Sequence, residues 1–272
     1  MKVRTGCSGW SYKQWVGTFY PLKAKPKDYL RLYSAAFDCV EVDSSFYRIP
    51  SQKSVYYWAG STPSDFIFTV KMPKQITHEG GFIGYERLLE HFLKSISVIR
   101  GKMGPILIQL PPSLTYEKDW ELLKAFLDSL TGEFKYAIEF RHQSFFQQNV
   151  YSKLESHKMT LVWSDLPYLE PEPVITSDTL YLRLVGDRSI DESEFGTIAE
   201  DKSNSIAEWV ARIRFVQENV EKVFIFSNNH YQGFGPATVN IVRKELGLPE
   251  INWSTMMKAS VSEGQATLFD TI

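Results

Sequence analysis

Short apolar runs recur along the chain at residues 3–7, 39–42, 66–70, 106–110, 136–140, 161–163, 180–185 and 223–226. Runs of this length read as buried strands. Nearly every run ends at a charged or amide side chain: Ser8, Asp43, Lys71, Gln109, Arg141, Asp165, the Gly186-Asp187 pair and Asn228. Between the runs the apolar spacing changes to a helical period at 27–37, 85–100, 119–130, 205–220 and 235–246, the last stopped by Gly247. Alternating strand and helix predicts a parallel sheet. Eight such strands with polar carboxyl ends predict a single α/β domain, a (β/α)8 TIM-type barrel over residues 1–258 whose mouth is the working end. One unit departs from the rule. Residues 166–173 hold Pro167, Pro171 and Pro173, so the sixth helix is expected to be replaced by a proline-rich loop. Residues 259–272 read as a polar C-terminal tail.

A doubly wound nucleotide fold is the architectural rival. It needs a G-x-G-x-x-G turn opening into a helix after the first strand. Gly6-Cys7-Ser8-Gly9-Trp10 places Trp at that opening instead. The barrel is preferred.

Alternation within the strands decides which side chains face inward. Glu41 and Asp43 share the barrel side of the second run, and Thr69 and Lys71 that of the third. Glu139 and Arg141 share it in the fifth, Tyr181 and Arg183 in the seventh. The mouth is therefore expected to join Glu41, Glu139, Lys71, Arg141 and Arg183 as the catalytic group. Charges of both signs in such a space shift one another's pKa values, the basis of acid–base division between carboxylates. The structural alternative is a set of ion pairs closing the barrel top.

The loop after the first run interleaves Trp10, Tyr12, Trp15, Phe19 and Tyr20 with Lys13, Lys23, Lys25 and Lys27. Aromatics among basic residues suit stacking on bases or sugars next to phosphates. Trp10 and Tyr12, nearest the strand end, are the site candidates, while Trp15 and Phe19 are expected to pack on the barrel. Tyr47, His78, Gln109, Asp165, Asn228 and Asn229 complete the expected substrate-binding set.

The net charge of −2 gives no global attraction to nucleic acid, so any such contact must be local. His78, His142 and His230 follow strands, but no His-x-x-x-His or Cys-x-x-Cys spacing supports them as metal ligands. Glu41, Glu139 and Asp165 suit a hard cation by type, yet the neighbouring Lys and Arg already neutralise them. Neither metal nor cofactor is expected. Two cysteines without a disulfide framework, no signal-like segment and no long apolar run lead to the expectation of a soluble cytoplasmic protein without membrane contact.

At several of these positions the chain resembles the YecE-like family, a domain of unknown function. The matching stretches include Gly6-Cys7-Ser8-Gly9-Trp10-Ser11-Tyr12, Glu41-Val42-Asp43-Ser44-Ser45-Phe46-Tyr47, Phe68-Thr69-Val70-Lys71, Ala137-Ile138-Glu139-Phe140-Arg141 and Phe226-Ser227-Asn228-Asn229. The resemblance implies a TIM-type barrel and supplies no reaction. Cys7 and Asp43 depart from the family's pattern and receive no catalytic role. Gln265-Ala266-Thr267-Leu268-Phe269 also resembles the short peptide by which bacterial replication and repair proteins dock on the DNA sliding clamp, with Gln265, Leu268 and Phe269 as anchors.

The leading expectation is an enzyme acting on an anionic, ring-containing substrate related to nucleotides or nucleic acid. Glu139 and Glu41 would be base and acid, and Arg141, Arg183 and Lys71 would hold the anion. Gln109 and Asn228 would orient the substrate, with Trp10 stacked on it. A carbohydrate-directed hydrolase or isomerase, a Schiff-base enzyme built on Lys71 and a non-catalytic nucleic-acid or sliding-clamp-associated binding protein are the alternatives.

Overall fold

Eight parallel strands form the centre of the computed structural model, which describes residues 1–130, 132–169 and 173–254. They are β1 (Lys2–Cys7), β2 (Cys39–Val42), β3 (Ile67–Val70), β4 (Ile106–Gln109), β5 (Tyr136–Glu139), β6 (Thr160–Asp165), β7 (Thr179–Leu184) and β8 (Lys222–Ser227). Each coincides with one of the apolar runs, and the fold is of the TIM-barrel type.

The hydrogen-bonded ladder is not continuous round the barrel. Six strands pair in the order β1-β8-β7-β6-β5-β4, and β2 pairs separately with β3. Single bridges cross the two seams, Ser8 to Glu41 on one side, Phe68 to Met103 and Lys71 to Leu107 on the other.

The expected helices appear as α1 (Tyr29–Ala36), α3 (Glu86–Ile96), α4 (Tyr116–Ser129), α6 (Ser203–Val216) and α8 (Gly235–Glu245). Two helices escape the apolar pattern, α2 (Gln52–Gly60) and α5 (Gln148–Ser156). α2 buries only Val55 and Trp58, too narrow a stripe to register as a period, and starts where Ser51 Oγ accepts the Ser54 amide at 3.1 Å. α5 likewise buries just Val150, Tyr151 and Leu154. A short α7 (Asn229–Gln232) follows β8 directly. Between β6 and β7 the described residues hold no helix, as the prolines require.

Inside the barrel the side chains form layers. Cys39, Leu107, Ala137, Val162, Tyr181, Phe224 and Phe226 make an apolar middle. Above it, towards the carboxyl ends, lie the buried polar groups of Glu41, Thr69, Glu139, Ser164 and Arg183. The outer strand faces pack against the helices in two larger clusters. Trp15 and Phe19 are fully buried among Tyr20, Tyr33, Phe234 and Trp253, so the first loop is anchored by packing. No helix is long and apolar enough to cross a membrane among the described residues. The tail beginning at 259, with Gln265, Leu268 and Phe269, lies outside the described residues.

Candidate functional site

Arg183 organises the barrel mouth. It stands on β7 at an inward position, 2% exposed, between two carboxylates that are 0% exposed. Its Nε donates to Glu41 Oε2 at 2.9 Å and its Nη2 to Glu41 Oε1 at 2.7 Å. On the other side Nη1 donates to Glu139 Oε2 at 2.5 Å. Such bidentate, charge-assisted contacts are among the stronger hydrogen bonds, and a planar guanidinium suits them better than an ammonium would.

The glutamates are saturated by further donors. Glu41 accepts from Ser8 Oγ at 2.6 Å and from Tyr181 OH at 2.7 Å. Glu139 accepts from Ser164 Oγ at 2.8 Å and pairs with Arg141 Nη2 at 2.7 Å. Strand parity brings these groups together from five strands, because residues at the same height on neighbouring strands share the barrel side. Burial by itself would raise the Glu139 carboxyl. Arg141, Arg183 and Lys71 outweigh it and hold the group at about 2. In the same way burial opposes the charge of Arg183, but Glu139, Glu41 and Asp43 leave its pKa well above the ordinary value.

A cavity of about 350 Å³ opens above this layer. Its lining includes Asp43, Lys71, Gln109, Arg141, Tyr168, Arg183, Asp187, Arg188, Asn228 and His230. Lys71 Nζ donates to Gln109 Oε1 at 2.7 Å and lies 4.1 Å from the centre of the Phe46 ring. Burial pulls the Lys71 pKa down, with Asp43 acting against it. Asp43 Oδ1 is 3.6 Å from Arg183 Nη2 and 3.9 Å from Lys71 Nζ. That oxygen and Arg141 Nε are buried and have no hydrogen-bond partner among the described residues. An acceptor and a donor are thus left over in one polar cavity, where such groups are rarely unmatched.

The cavity gathers Lys71, Arg141, Arg183, Gln109 and Asn228 from the expected set. Glu41 and Glu139 lie beneath it. The remaining candidates do not reach it. Trp10 packs edge-on against Trp58 at 5.7 Å, and Tyr12 donates to Ser8 O at 2.6 Å and leans on Trp15. Tyr47 is exposed and packs against Phe46. His78 sits on a π-helical turn (Gln75–Glu79) after β3, its Nδ1 2.7 Å from Thr77 Oγ1 and its ring edge-on to Phe46. Burial, then the Lys71 and Arg141 charges, press its pKa down to about 4. Asp165 faces the opposite side of β6 from Ser164 and accepts from Ser205 Oγ at 2.5 Å and Tyr231 OH at 2.6 Å. The strand simply continues through it, and alternation turns it away. Asn229 is buried and fastens the first loop, its Oδ1 accepting from Trp15 Nε1 at 3.2 Å and from the Gly235 amide at 2.9 Å.

Pattern reading gives Asp43 an inward place without a catalytic role, Asp187 only a strand end and His230 only an unsupported ligand position, and it passes over Tyr168 and Arg188. Tyr168, Asp187 and Arg188 stand on loops, where no period marks direction. Gly186 was the available signal. It adopts φ +75°, and a Cβ there would lie 2.3 Å from the His230 carbonyl oxygen, so only glycine lets the β7 loop pass this close to α7. His230 Nδ1 is 3.1 Å from Ile190 O. A carbonyl only accepts, so Nδ1 carries a proton in this contact, and in the neutral ring the lone pair falls on Nε2. Among the described residues no three His, Cys, Asp or Glu side chains converge as a metal site.

Similarity to known proteins follows the same architecture. The family model described as "Protein of unknown function DUF72" matches residues 4–261. The UPF0759 protein YecE of Escherichia coli K12 is 33% identical over 144 residues, 53% of this chain and 50% of YecE. The match thus spans about half of that relative's length. The UPF0759 protein YunF of Bacillus subtilis is 24% identical over 256 residues, 85% of this chain and 90% of its own. The crystal structure of a DUF72 family protein from Thermotoga maritima superposes with a TM-score of 0.78 at 28% identity, covering 91% of this chain and 100% of that one. A DUF72 family protein from Enterococcus faecalis shares the fold at 20% identity, with a TM-score of 0.74 over 91% of this chain and 98% of its own. With a family model matched across nearly its whole length, the chain belongs to the DUF72 family.

Proposed function

We propose that the barrel mouth is the active site of an enzyme acting on a small anionic, ring-containing substrate of the nucleotide or sugar-phosphate class. The observation that carries this reading is the polar cavity in which Lys71, Arg141 and Arg183 converge and Arg141 Nε has no partner among the described residues. Arg183 is answered by Glu41 and Glu139 beneath the cavity, so an incoming oxyanion meets chiefly Lys71 Nζ and the unpartnered Arg141 Nε. Tyr168, 58% exposed and bonded through its hydroxyl to Arg141 at 3.1 Å, offers the ring a face to stack on. Asn228 and Gln109 orient the polar groups of the substrate.

Acid–base work falls in this reading to the groups that face the cavity. Asp43 presents a carboxylate oxygen, and His230 a tautomer with Nε2 as acceptor. Glu41 and Glu139 are then positioning residues, which differs from the roles their residue type suggests. Glu139 at about 2 has no proton to give near neutral pH, and all its oxygens are engaged. Their work is to hold Arg183 and Arg141 in fixed directions without a reorganisation cost at the moment of reaction.

Titration calorimetry with ribose 5-phosphate and nucleoside monophosphates tests the reading. Binding of one class, weakened at least about tenfold by Arg141→Ala in a folded variant, is the expected result. Equal binding of the uncharged sugars would overturn the anionic assignment and favour a carbohydrate-directed enzyme. The lowered pKa of Lys71 keeps a Schiff-base enzyme as a second reading. Borohydride trapping that labels no lysine with a panel of sugar aldehydes and ketones removes it.

A further inference from the structure

The opposite end of the barrel carries a second concentration of positive charge. A cavity of about 240 Å³ opens there beneath the apolar middle layer, with Lys2, Arg4, Lys135 and Lys222 in its wall and Asp178 as its one acid. Parity places three of these lysines on the same side. Phe224 and Phe226 face inward on β8, so Lys222 does too, and Ala137 and Glu139 place Lys135 likewise on the approach to β5. Lys2 is the register partner of Lys222.

Like charges opposite one another on neighbouring strands are destabilising unless something answers them. Among the described residues nothing does. Lys2, Lys135 and Lys222 form no ion pair among the described residues. Asp178 accepts instead from its neighbour, Thr179 Oγ1, at 2.8 Å. Arg4 is committed to Asp38, with Nη1 2.9 Å from both its carboxylate and its carbonyl oxygen. The cluster also runs against the chain's net charge of −2, so it is a local arrangement rather than a by-product of a basic protein.

Ile67, Met103, Pro105 and Phe224 give the cavity an apolar back wall. Its width depends on Gly104, where a Cβ would meet Thr69 at 2.9 Å and Ile67 at 3.0 Å. The geometry points to a second anion-binding site in the barrel floor, taking a small polyvalent phosphate-type anion on Lys2, Lys135 and Lys222. A recessed space of this volume suits a compact anion. An extended polyanion such as a nucleic-acid backbone would meet the lysines only at the rim.

The test uses the full chain and inorganic pyrophosphate, followed by amide NMR so that floor and mouth are read separately. Pyrophosphate is expected to shift the Gly104, Thr179 and Lys222 amides saturably, and a Lys135→Gln/Lys222→Gln double variant to weaken that response at least about tenfold while mouth amides such as Val185 and Asn228 respond as in wild type. All substituted side chains are exposed, so the variant keeps the fold. Floor amides that stay unmoved in wild type, or a response unchanged in the variant, would overturn the site. Saturable shifts produced by an oligonucleotide but not by pyrophosphate would also overturn it, in favour of a rim contact. Failure here leaves the mouth resonances as an independent reading of the proposed active site.

Discussion

The two ends of this barrel solve the same electrostatic problem differently. At the mouth, Arg183 is buried and every strong donor on it meets Glu41 or Glu139. At the floor, Lys2, Lys135 and Lys222 face one cavity without a carboxylate partner among the described residues. The difference follows from solvent. An ion 2% exposed cannot be hydrated, so its counter-charge must come from the chain. An ammonium at an open rim keeps its water and leaves its charge for something else. The mouth is thus a built framework beneath a polar cavity, whereas the floor is a cluster of hydrated like charges that the proposed anion would answer.

Breaking the framework has the largest expected effect. Arg183→Met leaves buried Glu41 without its counter-charge and Glu139 with Arg141 alone, and costs about 3–5 kcal/mol of unfolding free energy by urea titration. Arg188→Met, on the exposed loop of the same cavity, changes stability by less than about 0.5 kcal/mol. Equal losses in the two variants would erase the distinction between framework and site.

The pH dependence of stability comes next. The Glu139 carboxyl is held at about 2 in the fold against an ordinary value of 4.5. Its stabilising contribution is complete above about 4.5 and is lost as the pH falls towards 2, a span worth roughly 3 kcal/mol. Glu139→Gln flattens the stability curve across that window, with an offset from the lost charge pairing that is independent of pH. A wild-type curve already flat there would contradict the network.

A smaller effect sits beside the mouth. His78 is depressed to about 4 from 6.5, so the unfolded chain binds its proton first and stability rises with pH between those values. Its NMR titration midpoint near 4 is expected to move upward in Lys71→Met, since that ammonium is one of its causes. An unmoved midpoint would separate His78 from the mouth electrostatically.

The smallest effect has the opposite sign. Lys222→Gln removes one member of the in-register Lys2–Lys222 pair and raises stability by a few tenths of a kcal/mol at low salt, roughly the scale of a cross-strand pair. The gain vanishes at 1 M salt, where the Debye length is about 3 Å. A loss instead of a gain would show that the floor lysines are already compensated.

Much of the fold was legible in local pattern. Eight runs gave eight strands, and the prolines at 167, 171 and 173 agree with the lack of a helix between β6 and β7 among the described residues. α2 and α5 were not legible, because each buries only two or three side chains. Within the site, parity locates the inward charges, whereas position at the end of a run misleads. Asp165 ends a run and so reads as a mouth residue, yet β6 continues through it and turns it outward. Trp10 and Tyr12 were attractive by composition, and both are committed to packing.

The chain by itself determined the layers of the barrel, since which face a strand residue takes is a period-two property fixed within a few neighbours. It determined that Glu41, Glu139 and Arg183 point inward. Only the tertiary structure decided that they meet. Arg183 is 142 residues from Glu41 and 44 from Glu139, and the curvature that brings β2, β5 and β7 round one interior is what sets their distances. The same arrangement decided which carboxylates are spent on guanidinium groups and which, like Asp43, face the open cavity. Charge pairing depends on separation in space and on access to water, and neither is written in the local order of residues.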